Sequence, residues 1–271
     1  MPIVNAAITA IFNLALDPLA KHPWAGLTLV SVVTGAVLLV IFRYTSNQRG
    51  IRAAKDRILA HLLEVVLYRD QMRVVVRAQA RLVVDNLRYL GYALVPLGFM
   101  LVPVGLMLVQ LDLRYGHRPL RVGESAIVAV KLKPGSDLDR VTLAAPDGVK
   151  VETESLRIPA LSEVDWRVRA TAAGEHELRI AAGGEELTKQ IVVGERAPRV
   201  SVARVDSGVW EQFLHPGERP VPASAPVKSI TVSYAGADLD FFGRPVYWVW
   251  AWLIISMVFG YALKGPLRVQ V

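Results

Sequence analysis

Residues 42–90 read FRYTSNQRGIRAAKDRILAHLLEVVLYRDQMRVVVRAQARLVVDNLRYL, and this stretch lies between two segments apolar enough to cross a bilayer. In its first half Ile51, Ala54, Ile58, Leu62 and Val65 recur at steps of three and four. Val76, Ala80, Val83, Leu87 and Leu90 repeat the pattern in the second half. Such steps follow the helical period and approach a heptad, so each half is expected to be a helix with an apolar stripe. The polar run Tyr68-Arg69-Asp70-Gln71 is expected to reverse the chain between them. The predicted element is a two-helix hairpin sealed along an apolar seam.

The charge of this hairpin predicts its side of the membrane. Arg43, Arg49, Arg52, Lys55, Arg57, Arg69, Arg73, Arg77, Arg81 and Arg88 face only Asp56, Glu64, Asp70 and Asp85. Lys and Arg near the ends of a span resist translocation, so a short basic loop stays cytosolic. Arg69, Arg73, Arg77 and Arg81 also repeat every four residues, as a ridge along the second helix. A solvated face that sets topology explains such a ridge. So does contact with anionic headgroups, ribosomal RNA or acidic client segments, because guanidinium groups bind phosphate and carboxylate in pairs of hydrogen bonds.

Working outward, the chain of 271 residues is 53% hydrophobic with a formal charge of +7 and a mean hydropathy of +0.36. Apolar residues arranged in blocks indicate an integral membrane protein rather than one large soluble core. Between residues 113 and 243 acidic and basic residues nearly balance, so the positive surplus belongs mainly to the hairpin. A topology signal explains it more simply than a DNA-binding footprint does. The absence of cysteine excludes disulfides, cysteine-ligated zinc and thiol catalysis.

Residues 1–24 are expected to form an amphipathic helix in the outer interface, with Val4, Ile8, Ile11, Ala15 and Leu19 opposite Asn5, Thr9, Asn13 and Asp17. Trp24 then sits at headgroup depth. Transmembrane helix 1 is read over 25–42, the hairpin over 43–91 and transmembrane helix 2 over 92–112. Ser31 and Thr34 interrupt the first span beside Gly35, and Gln110 lies near the outer end of the second. Small residues of this kind favour close helix packing, whereas Pro96 and Pro103 favour a bend.

Residues 113–243 change to short alternating segments: SAIVAVKL, RVTLAA, VKVETESLRI, VDWRVRAT, HELRIAA and LTKQIVV. Turn clusters such as KPGSD and AAGGEE separate them, which predicts an antiparallel β-sandwich with Trp166 in its core. Transmembrane helix 3 is read over 244–263, opened by Tyr247, Trp248, Trp250 and Trp252, an outer aromatic belt. Lys264 and Arg268 place the tail of 264–271 in the cytosol. The expected fold class is thus an α-helical integral membrane protein of the plasma (bacterial inner) membrane. Its N-terminus and β-domain face outward, and its hairpin and tail face the cytoplasm.

No phosphate loop, dinucleotide fingerprint, zinc-protease motif or nucleophile elbow occurs in a suitable context. His22, His61, His117, His176 and His215 are scattered between predicted regions, so no metal site, cofactor or catalytic residue is expected. The Asp137-Leu138-Asp139 and Asp238-Leu239-Asp240 pairs lack the wider ligand spacing of a calcium loop and are read as solvated turn acids.

An amphipathic outer helix, a span, a basic helical hairpin and a span containing Pro and Gly together resemble the YidC/Oxa superfamily of membrane-protein insertases. The local likeness starts at Tyr44-Thr45-Ser46 and continues through Asn86-Leu87-Arg88-Tyr89-Leu90-Gly91 to Pro96 and Pro103. It covers residues 1–112 and, by topology, the last span, in a form similar to the reduced three-span relatives. The resemblance implies a hydrophilic groove that receives client segments, with Ser31, Thr34 and Gln110 as its polar lining. It implies cytosolic contacts to nascent clients, the ribosome or headgroups at Arg49, Arg52, Arg69, Arg73, Arg77 and Arg81. Two features depart from the family. Thr34 stands where the family carries a groove arginine, and a β-domain intervenes before the last span, where it would bind an extracytoplasmic protein.

Two other functions fit the sequence. One is a structural scaffold subunit acting through the β-domain; the other is a transport or sensing component whose β-domain binds a ligand. Under the insertase reading, reversing Arg69, Arg73, Arg77 and Arg81 to Glu is expected to weaken co-sedimentation with ribosomes or clients while the β-domain stays folded. Unchanged binding would remove the ridge from the mechanism.

Overall fold

The computed structural model describes residues 2–20, 22–195 and 199–265, with side chains from Ile8 onward. Arg268 and the side chains of Val4 and Asn5 lie outside the described residues. The α-helices are α1 (Pro2–Leu16), α2 (Pro23–Thr45), α3 (Gln48–Leu67), α4 (Met72–Tyr115), α5 (Val209–Leu214) and α6 (Trp248–Leu263). By length and composition α2 and α4 are apolar enough to cross a membrane, whereas α6 has 16 residues and falls short of that length. Two compact units divide the chain: Met1–Gly26 with Leu108–Val249, and Leu27–Met107 with Trp250–Val271.

In the helical unit the chain reverses where the polar run predicts, between the end of α3 at Leu67 and the start of α4 at Met72. The Asn47 side chain caps α3, its Oδ1 accepting from Gly50 N at 2.9 Å. Arg69 lies in the turn rather than on α4, so the helical part of the arginine ridge begins at Arg73. Helix α4 runs unbroken through Pro96 and Pro103.

The seam of the hairpin differs from its expected face. On α3, Ile51 and Ala54 are buried and Ile58 and Val65 half-buried, but Leu62 is exposed. On α4 the expected Val76, Ala80, Val83, Leu87 and Leu90 are all exposed. The inward positions are Val75, Ala78, Leu82, Asp85 and Tyr89. The inward row is displaced by one to two residues from the expected one, about 140° around the helix at 100° per residue. Its physical cause is Asp85, 3% exposed. Arg57 (3.7 Å) and His61 (3.4 Å) of α3 and Arg88 (3.1 Å) of α4 surround that carboxylate. A buried carboxylate is tolerable only with such partners, and they fix which face of α4 turns inward.

In the other unit, eleven strands form antiparallel pairs. They are β1 (Ser125–Leu132), β2 (Thr142–Ala144), β3 (Val149–Val151), β4 (Leu156–Ile158), β5 (Glu163–Ala170), β6 (Gly174–Ala182), β7 (Glu185–Val193), β8 (Ala203–Val205), β9 (Val227–Val232), β10 (Leu239–Phe241) and β11 (Arg244–Val246). One sheet has the order β3-β5-β1-β9-β8, with β4 also paired to β5. A second has the order β2-β6-β7, and β10 pairs with β11 as a separate ribbon. Register sets Val128 opposite Trp166 on one side and Val232 on the other. Period-two alternation turns Val128, Val130, Val164, Trp166, Val168 and Ile230 into one core with Leu178, Ile180, Leu187 and Ile191 of the second sheet. This is the sandwich expected from the alternating segments, and Trp166 is in its core.

Lys189 occupies a core-facing position of β7 and is fully buried. Its ammonium donates to Ser201 O at 2.8 Å, to Gln190 O at 3.1 Å and to the Glu218 carboxylate. Burial pushes its pKa down, opposed by Glu218. Removing one member of a buried pair costs about 3–5 kcal/mol, so this contact ties the chain beyond β7 to the sandwich.

Where the chain leaves α4 for β1, Arg118 holds Glu124 through two 2.8 Å hydrogen bonds, and Arg121 N donates to the same carboxylate at 2.8 Å. These bonds pull the Glu124 pKa from 4.5 down to about 2. Its stabilisation is therefore present above pH 4.5 and is lost as pH falls through about 2. Acid unfolding followed by circular dichroism is expected to shift to higher pH in Arg118→Gln. An unchanged acid midpoint would remove this pair from the stability of the unit.

Candidate functional site

Helix α2 turns Leu27, Val30, Ser31, Thr34, Gly35 and Leu39 inward and leaves Leu29, Val33, Val37 and Val40 exposed. The inward spacing of three and four is the helical period. Ser31 Oγ donates to Leu27 O and Thr34 Oγ1 to Val30 O, both at 2.7 Å. Thr34 Oγ1 also accepts from Trp252 Nε1 of α6 at 3.4 Å. Both hydroxyls are thus satisfied inside the helices, as Ser and Thr commonly are in apolar segments.

Gly35 explains the closeness of α2 and α6. A Cβ built there would stand 2.6 Å from Ser256 O and 3.1 Å from Gly260 N. The crossing therefore admits only hydrogen at this point. Small residues letting two apolar helices approach through their backbones is the packing expected for Ser31, Thr34 and Gly35.

Beside that crossing lies a cavity of about 590 Å³, lined by α2 (Gly35, Leu38, Leu39, Phe42), α4 (Met100, Val104) and α6 (Trp252 to Tyr261). Neither Ser31 nor Thr34 lines it. Its walls are almost wholly apolar, and Ser256 Oγ is buried in it without a hydrogen-bond partner. The cavity suits a hydrocarbon or an apolar side-chain ridge and offers little to a charged group.

Gln110 belongs to the other unit and serves a different contact. It is 2% exposed and its amide donates to Thr9 Oγ1 at 3.0 Å. Four residues on, Arg114 donates to Asn13 Oδ1, and its guanidinium lies 5.8 Å from the Phe12 ring centroid. These partners hold Thr9 and Asn13 of the polar row of α1 against α4, while Asp17 of that row is exposed. Thr9, Phe12 and Leu16 are buried, while Ile11 and Leu14 are 66% and 84% exposed. The apolar row of α1 was legible; that its polar row had partners on α4 was not.

The six arginines expected to make cytosolic contacts are exposed. Only Arg77 and Arg81 join a common concavity, which Arg57, His61, Asp85 and Arg88 also line. Asp85 is thus the centre of a cationic cluster, and the clue was Arg81-x-x-x-Asp85-x-x-Arg88, an acid flanked at helical spacing by arginines.

Comparison of the chain with protein-family models, with curated proteins and with solved structures finds no match.

The crossing at Gly35 yields a paired prediction. Gly35→Ala is expected to lose about 1–3 kcal/mol through overpacking, read as a lower thermal midpoint in detergent. Ser256→Ala, which removes a hydroxyl without a partner, is expected to be neutral or stabilising. Equal midpoints for Gly35→Ala and the parent would contradict the close backbone approach.

Proposed function

We propose that this chain is a membrane-embedded factor assisting insertion or assembly of membrane proteins, similar to YidC/Oxa insertases in the order of its elements. In this reading α2, α4 and α6 span the membrane, the α3–α4 hairpin lies in the cytosol, and the sandwich is extracytoplasmic. Several observations support it. Both long helices present apolar side chains outward, among them Leu29, Val33 and Val37 of α2 and Leu97, Phe99, Leu101 and Val102 of α4. Such continuous apolar exposure is costly in water and natural in lipid. The excess of arginine on the hairpin favours the cytosolic side.

The observation that carries the mechanism is the apolar cavity between α2, α4 and α6. It would shelter one face of a client helix until the client packs with its own partners. Client capture then depends on shape and apolar area rather than on a polar lining or a groove charge. The hairpin arginines would meet the client or the ribosome before that step.

The scaffold reading is favoured by a different observation: the hydroxyls of Ser31 and Thr34 are satisfied within α2 and offer little to a polar client tail. The two readings separate by cross-linking in reconstituted vesicles, which the cysteine-free chain permits. Leu38→Cys lines the cavity and Val33→Cys faces outward. A single-span client with a short polar tail and one cysteine in its apolar segment is expected to form adducts with Leu38→Cys well above those with Val33→Cys. No preference, in folded protein, would favour the scaffold.

A further inference from the structure

The β10–β11 ribbon ends in the turn Phe241-Phe242-Gly243-Arg244. Phe242 has φ 51° and is 92% exposed. Gly243 beside it has φ 79°, so both central residues of this two-residue turn are left-handed, as tight hairpin turns require. A bulky aromatic residue there is a steric outlier. The surroundings here are hydrogen-bonded and aromatic. Gly243 N donates to Asp240 Oδ1 at 2.7 Å. The Phe241 and Phe242 rings meet edge to face at 4.8 Å, and the Phe241 ring lies 5.3 Å from that of Trp24. The Trp24 indole N–H in turn donates to Asp240 O at 2.7 Å. Three aromatic rings are thus fixed together, and the outermost is almost wholly uncovered.

Their place along the chain indicates what covers them. Trp24 is in the first turn of α2, and β11 leads directly into α6 at Trp248. Helix α6 has 16 residues, which rise about 24 Å against a hydrocarbon core of about 30 Å. Lys264 follows its last turn, with its ammonium 3.8 Å from the Tyr261 ring centroid. A lysine there belongs at the headgroups and fixes that end. Helix α6 is thus about 6 Å short of the hydrocarbon thickness, and β11 of the ribbon joins it at the Trp248 end.

We infer that this aromatic turn docks into the headgroup–acyl boundary of the outer leaflet and completes the membrane anchoring of the short α6. The inference rests on the membrane reading above. Aromatic rings favour this depth. The ribbon's pairs Leu239 with Val246 and Phe241 with Arg244 satisfy backbone groups that lipid would leave unpaired. Asp240 and Arg244 hold the turn at the boundary and out of the hydrocarbon centre.

The test uses three single-cysteine variants of the full chain in phosphatidylcholine vesicles, each carrying an environment-sensitive bimane. Phe242→Cys reports the turn, Ile254→Cys the middle of α6, and Arg140→Cys an exposed turn of the sandwich. Bromine is placed on the acyl chains either near the headgroup or deep. Support is a blue-shifted Phe242→Cys signal quenched more by shallow than by deep bromine, with Ile254→Cys quenched by deep bromine and Arg140→Cys by neither. If Ile254→Cys is quenched and Phe242→Cys behaves like Arg140→Cys, the inference is overturned while the membrane reading stands, and the turn is left for a protein partner. If Ile254→Cys is unquenched in folded protein, the membrane reading fails and the inference with it.

Discussion

One helix constrains the helical unit. Because α4 is unbroken from Met72 onward, the basic arm of the hairpin and the apolar stretch that contributes Met100 and Val104 to the cavity are parts of one rod. The burial of Asp85 among Arg57, His61 and Arg88 fixes which face of α4 meets α3 in the hairpin. A charged residue, not the apolar stripe, therefore decides the rotational setting.

This explains what the sequence made legible and what it did not. The reversal between Leu67 and Met72 was readable because a polar run interrupts two periodic segments. The seam of α3 was partly readable, since Ile51 and Ala54 follow its period and are buried. The seam of α4 was not, because two rows one to two residues apart compete there. Val76, Val83 and Leu87 score as well as Val75 and Leu82 on hydrophobicity. Only partners from α3, distant in sequence, break the tie.

The sandwich shows the opposite balance. Alternation within SAIVAVKL and VDWRVRAT fixes which residues point inward, because a one-residue slip would expose every one of them. Local pattern therefore specified most of the core, including Trp166. Lys189 is the exception. It sits in an inward register position between Leu187 and Ile191, where a pattern reader expects an apolar side chain. Its partner Glu218 lies in a proline-rich loop with no period of its own. The cost of burying the ammonium is offset by a carboxylate and two carbonyls, none of which a local pattern announces.

The same distinction bears on the polar residues of the apolar helices. Ser31, Thr34 and Gln110 read alike in sequence, as polar interruptions of apolar runs, yet their side chains differ in reach. A serine or threonine hydroxyl returns to the carbonyl four residues back, so Ser31 and Thr34 close on α2 itself and free the crossing at Gly35 to be tight. Glutamine is long enough to need a partner from another element, and Gln110 finds Thr9. Polar residues in such helices thus serve packing before they serve a ligand. What remains open beside the crossing is apolar, and neither Ser31 nor Thr34 lines it.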